Sequence, residues 1–340
     1  MSDKRIVVTG AGGFIGGHMS RFLKEKGYWV RGVDIKPHRW MRKDEFCDEF
    51  LLLDLTRYEN VVESVRGVDE VYNFAANMGG IGFIMTCFAD VMRDSVSINT
   101  NVAEACRRMD VDKVFFSSSA CVYPEYLQDR DYEELDGKYV LAEKDAFPAD
   151  PDSFYGWEKL FAEQLYWSYY LDYGLDIRIA RFHNIQGIYT EWEEPRCKAP
   201  AALSRKIAML PPNGGTIEVW GDGKQVRTFL DVRDCCEAVY RLMQIQNEKI
   251  YKLGVKNKPR PPAINIGSNE ETTINNLVDM IAGIANKKVE KKHNFTKPQG
   301  VRSRSADLKN VKEIINWEPN YTLRNTMKWL YCWVNNEIHI

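Results

Sequence analysis

Gly10, Gly13 and Gly16 recur at intervals of three between the apolar run "RIVVTG" and the amphipathic stretch "GFIGGHMSRFLKEKG". A strand that runs through a glycine turn into a helix leaves few folds open. The glycines tighten the turn and let the backbone approach an anionic group. The free N–H groups of the first helical turn, around Phe14 and Ile15, point at that group. The alternation continues through "YWVRGVD", "EFLLLDL", "YENVVESVRG", "EVYNFAA", a long helix through "SINTNVAEACRRMD", and "KVFFSSS". Short β-rich apolar runs separated by amphipathic helices predict an α/β fold whose doubly wound parallel sheet, of Rossmann type, is covered on both faces.

A further helix, "SFYGWEKLFAEQLYWSYYLDYG", leads to the strand "DIRIARFHNI", after which Gly, Pro and aromatic residues become frequent. The division this predicts is a dinucleotide-binding domain over residues 1–181 and a smaller C-terminal α/β substrate lobe over 182–340, with later segments interleaving back into the first. The lobe reads as the helices "APAALSRKIAML", "RDCCEAVYRLMQ" and "TINNLVDMIAGIA", the extended "GTIEVWGDGKQVRTFLDV" and the short strand "INIG". The stretch "NEKIYKLGVKNKPRPPA" reads as a solvated loop insertion.

Charge and cysteine content narrow the function. Across 340 residues, 46 Lys plus Arg stand against 48 Asp plus Glu, so the basic excess of a nucleic-acid or anionic-membrane binder is missing. An anionic ligand must then be held by local groups. The eight cysteines show no C-x-x-C spacing and no His-rich neighbourhood, so no metal site is expected and the thiols read as reduced. The N-terminus enters a strand at once, without a targeting pattern, and no apolar run approaches a membrane span; the expected location is cytoplasmic.

Two carboxylates and a tyrosine–lysine pair give the glycine turn its context. Asp34 closes the second strand, where a carboxylate accepts hydrogen bonds from the adenosine ribose hydroxyls and repels a 2′-phosphate. NAD is therefore favoured over NADP, although Arg31 and Lys36 flank the position. Asp54, closing "LLLDL", is placed near the adenine or serves as a strand-end cap. "YGWEK" sets Tyr155 and Lys159 on one face of a helix. A cation beside the phenol, together with the nicotinamide charge, favours the phenolate, which can remove a hydroxyl proton while hydride leaves for NAD.

The combination of "TGAGGFIG", Asp34, "NFAA", "SSSACVYPE", "YGWEK" and "RFHNIQG" resembles the extended short-chain dehydrogenase/reductase family of nucleotide-sugar enzymes over nearly the whole chain. A narrower set, including "CDEFLLLDL", "NMGGIGF", "KAPAA", "WGDGKQVRTF" and "GVRSRSAD", is similar to the branch of that family acting on GDP-mannose at carbons 3 and 5. The resemblance implies that Ser119 hydrogen-bonds the carbon 4 oxygen and that Ala120 and Cys121 face the sugar. A Thr-Asp-Glu arrangement there would imply dehydration; this chain has none. Cys121 is implied as the base at carbons 5 and 3 once carbon 4 is a ketone, and Lys198 as the acid on the opposite face. Cys197 replaces the acidic residue expected beside Lys198. The resemblance further implies Gly79 at the sugar, Asn184 and Lys206 at the diphosphate, Gln225 through Arg227 at the nucleotide, and Arg304, or Arg302 in its stead, at the phosphates. The protein is expected to pair as a homodimer through four helices. Two other readings stay open. One is a GDP-4-keto-6-deoxy-sugar epimerase-reductase, which uses NADPH and a histidine acid, His183 being the histidine in the right region. The other is a non-catalytic dinucleotide-sensing module, which would be expected to lack Tyr155 or Lys159.

Overall fold

The computed structural model of the protein describes residues 4–129, 140–255, 258 and 260–339. Six strands form up to Phe182: β1 (Arg5–Thr9), β2 (Trp29–Asp34), β3 (Glu49–Leu52), β4 (Glu70–Asn73), β5 (Lys113–Ser119) and β6 (Asp176–Phe182). The short β7 (Ile185–Gln186), β8 (Gly215–Trp220), β9 (Val226–Thr228) and β10 (Leu230–Asp231) follow, then β11 (Ala263–Ile266), β12 (Glu271–Thr273), β13 (Val289–Asn294) and β14 (Ser303–Arg304). The main sheet has seven strands in the order β11-β6-β5-β4-β1-β2-β3, and every neighbouring pair is parallel. Strand order reverses between β1 and β4, so a crevice opens at the carboxyl ends of these strands, where open α/β sheets bind ligands. The doubly wound parallel sheet expected from the alternating runs is therefore present.

Burial on both faces explains the near-continuous apolar strands. Ile6 and Val8 pack to one side with the helices Phe14–Glu25 and Val232–Gln244, while Val7, Val71, Val114 and Ile177 pack to the other beneath Tyr58–Val65, Phe88–Arg108 and Phe154–Tyr173. A third core joins the helices Ala199–Ala208, Ile274–Ala285 and Leu323–His339 to the parallel pair β8 and β13 through Leu203, Ile217, Leu277 and Met327. The "INIG" strand, β11, adds to the edge of the main sheet beside β6, so the later chain does return to the first.

Three details differ from the reading of the sequence. The long helix starts at Phe88, a full two turns before "SINTN", because Val91 and Ser95 are buried on the same face as Ile98 and Val102. The stretch read as a solvated loop begins with the helix Asn247–Tyr251, whose Ile250 is fully buried and whose Tyr251 hydroxyl accepts from Ile177 N at 2.8 Å. Lys256, Asn257 and Pro259 of that stretch lie outside the described residues. The helices Lys309–Ile315 and Leu323–His339 had no counterpart in the sequence reading.

Candidate active site

The crevice is a cleft of about 1920 Å³. At its floor, Gly10 takes φ +71°, and a Cβ there would lie 2.8 Å from the Phe74 backbone; a Cβ on Gly16 would lie 2.2 Å from the Gly10 carbonyl. Helix Phe14–Glu25 can thus begin directly against the turn, with Gly13, Phe14 and Ile15 lining the cleft. Asp34 ends β2 beside them. Its Oδ2 accepts from Gly12 N at 3.0 Å and its Oδ1 from Lys36 N at 3.2 Å, while burial raises its pKa above the ordinary carboxyl value. Arg31 is turned away: Nε pairs with Glu49 at 2.7 Å, and Nη1 donates to Ser64 O and Arg66 O. Of the two cations flanking Asp34, only Lys36 lines the cleft. Asp54 also lines it, accepting from both the Thr56 hydroxyl and N–H, which lowers its pKa. A glycine turn with no side chain to block it and a carboxylate at the end of the second strand fit NAD.

Above the turn, β5 delivers Ser119, whose Oγ accepts from Cys121 N at 3.1 Å and caps the single 3₁₀ turn Ala120–Val122. The helix Phe154–Tyr173 starts opposite, capped by Ser153 Oγ accepting from Gly156 N at 3.2 Å. Gly156 is needed there, since a Cβ would lie 2.1 Å from the Cys121 carbonyl. This close approach brings Tyr155 up to the cysteine loop. Burial, and then the nearby Cys121, push the Tyr155 pKa well above the ordinary phenol value, while the neighbouring Ser119 hydroxyl acts against that shift. Lys159 lies one turn on, with Nζ donating to Ser117 O at 3.1 Å and 5.7 Å from the Tyr155 ring centre. Burial lowers its pKa, while Glu158, Glu163 and Cys121 oppose that shift.

Cys121 is half-buried and lines the cleft beside Ala120. Arg304, implied at the substrate phosphates, is placed with its guanidinium on the thiol: Nη1 donates to Cys121 Sγ at 3.1 Å, Nε to Gln128 Oε1 at 2.6 Å, and Nη2 to Asp152. Arg302 pairs with Asp222 at 2.9 Å instead. Lys198 is the N-cap residue of helix Ala199–Ala208, ahead of Pro200, and reaches the same cleft. Burial lowers its pKa, and the charge of Cys121 acts against that.

The "NMGGIGF" loop and the segment before Lys198 are fastened together across the cleft. Gly80 N donates to Arg196 O at 2.9 Å, Arg196 Nη1 donates to Met78 O at 2.7 Å, and the Arg196 guanidinium lies 3.8 Å from the Phe83 ring centre. A Cβ on Gly80 would lie 2.0 Å from the Cys197 carbonyl, and one on Gly79 would lie 2.7 Å from Phe83 Cβ. Asn184, at φ +49°, donates to Thr228 O at 2.9 Å, and Lys206 Nζ donates to Glu218 O at 2.9 Å; both line the cleft. Gln225 is buried there, with Nε2 donating to Gln299 and Oε1 without a partner among the described residues. Arg227 donates to two carbonyls, Val226 O and Val301 O; burial, and then the nearby Arg304, push its pKa down to about 9. An arginine so depressed gains from an anion placed against it. His183 is fully buried against Asn265 Oδ1 at 3.0 Å and does not line the cleft. Sequence reasoning missed Asp152, Gln128, Gly156 and Arg196, whose roles depend on packing between distant segments; only Gly156, inside "YGWEK", carried a local signal.

Fold, glycine turn and tyrosine–lysine pair define the class, an NAD-dependent enzyme. Residues 6–254 match the NAD dependent epimerase/dehydratase family, and the chain belongs to it. Over 98% of its length it is 40% identical to GDP-mannose 3,5-epimerase of Arabidopsis thaliana, covering 83% of that protein. To GDP-mannose 3,5-epimerase 1 of Oryza sativa subsp. japonica it is 38% identical, over 98% of this chain and 82% of that one. Identity to GDP-L-fucose synthase of Escherichia coli (strain K12) is 27%, over 98% and 97% of the two chains. Among solved structures, UDP-glucose 4-epimerase of Thermotoga maritima with UDP-glucose superposes with a TM-score of 0.81 at 21% identity, covering 98% of this chain and 99% of that one. UDP-glucuronic acid 4-epimerase of Bacillus cereus, in complex with UDP-glucuronic acid and NAD, gives 0.80 at 22%, with the same coverage. At these identities the two structures speak for the fold.

Proposed function

We propose that the protein is an isomerase that inverts GDP-mannose at carbon 5, carbon 3 or both, through a transient 4-keto sugar. The observation that carries this reading is the meeting, in one cleft, of the oxidation machinery (Ser119, Tyr155 and Lys159) and the Cys121 thiol with Lys198, which comes from the other lobe. The 40% identity to a GDP-mannose 3,5-epimerase supports the choice of substrate.

Gly10, Gly13, Phe14, Ile15, Gly16, Asp34 and Asp54 would hold NAD, with Tyr155 and Lys159 at its reacting end. NAD, when bound, supplies a hydride acceptor for carbon 4 and a positive ring that lowers the Tyr155 pKa. Tyr155 takes the carbon 4 hydroxyl proton, and Ser119 holds that oxygen. The ketone acidifies the neighbouring carbon-bound protons, so the Cys121 thiolate removes one to leave an enolate. The Lys198 ammonium then delivers a proton to the other face, which inverts the carbon. Cys121 next loses its proton and Lys198 regains one from water. Tyr155 finally returns its proton to the carbon 4 oxygen while carbon 4 would recover the hydride that the bound cofactor had accepted from it, so no net redox change remains. Asn184, Lys206, Gln225, Arg227 and Gly79 would seat the nucleotide diphosphate and the sugar. On this reading residues 1–181 bind NAD and residues 182–340 chiefly bind the nucleotide sugar.

Two further parts belong to the proposal. Phe154, Trp157 and Phe161, 45–52% exposed on one helix face beside Phe88, support a homodimer through helices Phe88–Arg108 and Phe154–Tyr173. Eight unpaired cysteines support a cytoplasmic setting. A GDP-4-keto-6-deoxy-sugar epimerase-reductase is disfavoured because His183 is sealed from the cleft. The test is incubation with GDP-mannose alone, followed by separation of products, with assay of the nucleotide released on denaturation. Epimerised sugar and released NAD are expected; unchanged GDP-mannose, or steady consumption of added NADPH, would reject the reading.

A further inference from the structure

Cys121 shares the cleft with Lys159, Lys198, Arg227 and Tyr155, and with the carboxylates of Glu125, Asp129 and Asp152. Arg304 alone reaches hydrogen-bond distance of the sulfur among the described residues, at 3.1 Å. That guanidinium is also clamped. Its Nε donates to Gln128 at 2.6 Å, and Gln128 Nε2 in turn donates to Tyr123 O at 2.8 Å and Pro124 O at 3.2 Å, in the loop that follows Cys121. Its Nη2 is paired with Asp152, just ahead of the helix that carries Tyr155. Each guanidinium nitrogen has one partner, so the planar fork cannot turn away from the sulfur without breaking the other two bonds. A cation held at a sulfur favours the thiolate over the thiol.

We infer that Arg304 is a positioning residue for Cys121: its guanidinium, clamped by Gln128 and Asp152, holds the sulfur aimed into the cleft and sets a fixed positive charge against it. The inference rests on the reading of Cys121 as the base. It assigns Arg304 a task other than the phosphate contact implied by the sequence, and it makes Asp152 and Gln128 part of the same device.

Site-resolved alkylation by iodoacetamide in the NAD-bound protein tests it without relying on turnover. In Arg304→Gln, labelling of Cys121 at about pH 7 should fall about tenfold, the factor carried by one unit of ionisation, and should regain the wild-type rate at about pH 10, where a thiol ionises unaided. Arg304→Lys should recover most of the loss. Incorporation of solvent deuterium into GDP-mannose should follow the same order. Removing the ion pair whole, in the double variant Arg304→Gln with Asp152→Asn, avoids an unpaired buried carboxylate and should show the same pH-dependent loss. An unchanged rate, or a loss equal at every pH as a packing defect would give, overturns the inference. If Cys121→Ser still exchanges deuterium, the base reading itself fails; if it does not exchange while Arg304→Gln labels like wild type, only the role of Arg304 fails.

Discussion

At Tyr155, burial and chemistry pull in opposite directions: the site that shields the reacting sugar also holds the phenol neutral. The hydroxyl can act as a base only with a positive charge beside it, so its activity is tied to the bound cofactor. Tyr155→Phe should keep NAD and lose epimerisation by about two to four orders of magnitude, the usual contribution of general acid–base catalysis, as read by product formation from GDP-mannose. Near-normal turnover would make a 4-keto route untenable. Cys121→Ser keeps nearly the same volume but offers an oxygen too basic to ionise near neutrality. It should lose deuterium incorporation at carbon 5 by about a hundredfold or more while still retaining NAD. In the proposed mechanism Lys198 must carry its proton to act as the acid, and burial lowers its pKa. Inversion should therefore decline on the alkaline side before the ordinary lysine value of about 10.4 is reached, and a pH–rate profile measures this.

Between elements, the critical contacts are those in which glycine permits two segments to touch. Gly80 lets the "NMGGIGF" loop lie on the Cys197 carbonyl, immediately before Lys198. A methyl group there must push the two apart. Gly80→Ala is expected to lower kcat about a hundredfold, as a displacement of about 1 Å can, with NAD content unchanged. Loss of NAD in parallel would mean the damage had spread to the glycine turn. Gly16→Ala should do the reverse, since its Cβ would strike the Gly10 carbonyl and deform the turn itself: the protein should be purified without NAD.

Across the whole molecule, three histidines couple stability to pH. Burial pushes the pKa of His183 down to about 3, and those of His18 and His38 down to about 4. A folded value below the unfolded one means that the folded state binds fewer protons. Their contribution is fully present above about pH 6.5 and is lost as pH falls towards the folded values. At about pH 5, His183 alone should cost about 2 kcal/mol. Urea midpoints measured from about pH 7 to 5 should fall accordingly; a flat profile would show that His183 is protonated in the folded protein. At the same scale, the proposed homodimer predicts a dimer mass in light scattering for the wild type and a monomer mass for Trp157→Glu with Phe161→Glu; a wild-type monomer would reject it.

What the sequence determined by itself was whatever local spacing encodes. Three glycines after an apolar run specify a tight strand-to-helix turn, Asp34 follows from the length of the next strand, and four residues separate Tyr155 and Lys159 because one helical turn brings them to the same face. The unbroken apolar run of β1, buried on both faces, and the helical periodicity that covers it were legible for the same reason. So was the apolar spacing of Leu323, Met327, Leu330 and Val334, although the sequence reading passed over the helix they form. Tertiary structure decided whatever depends on segments far apart in the chain. It turned Arg31 away from Asp34, because Glu49 on the neighbouring strand pairs with it. It set Gly80 against Cys197, and it brought Arg304 to Cys121 across 183 positions of sequence. No local pattern records such a meeting, because a short edge strand beside β9 sets where Arg304 lies, and the partners it finds there come from the opposite side of the cleft.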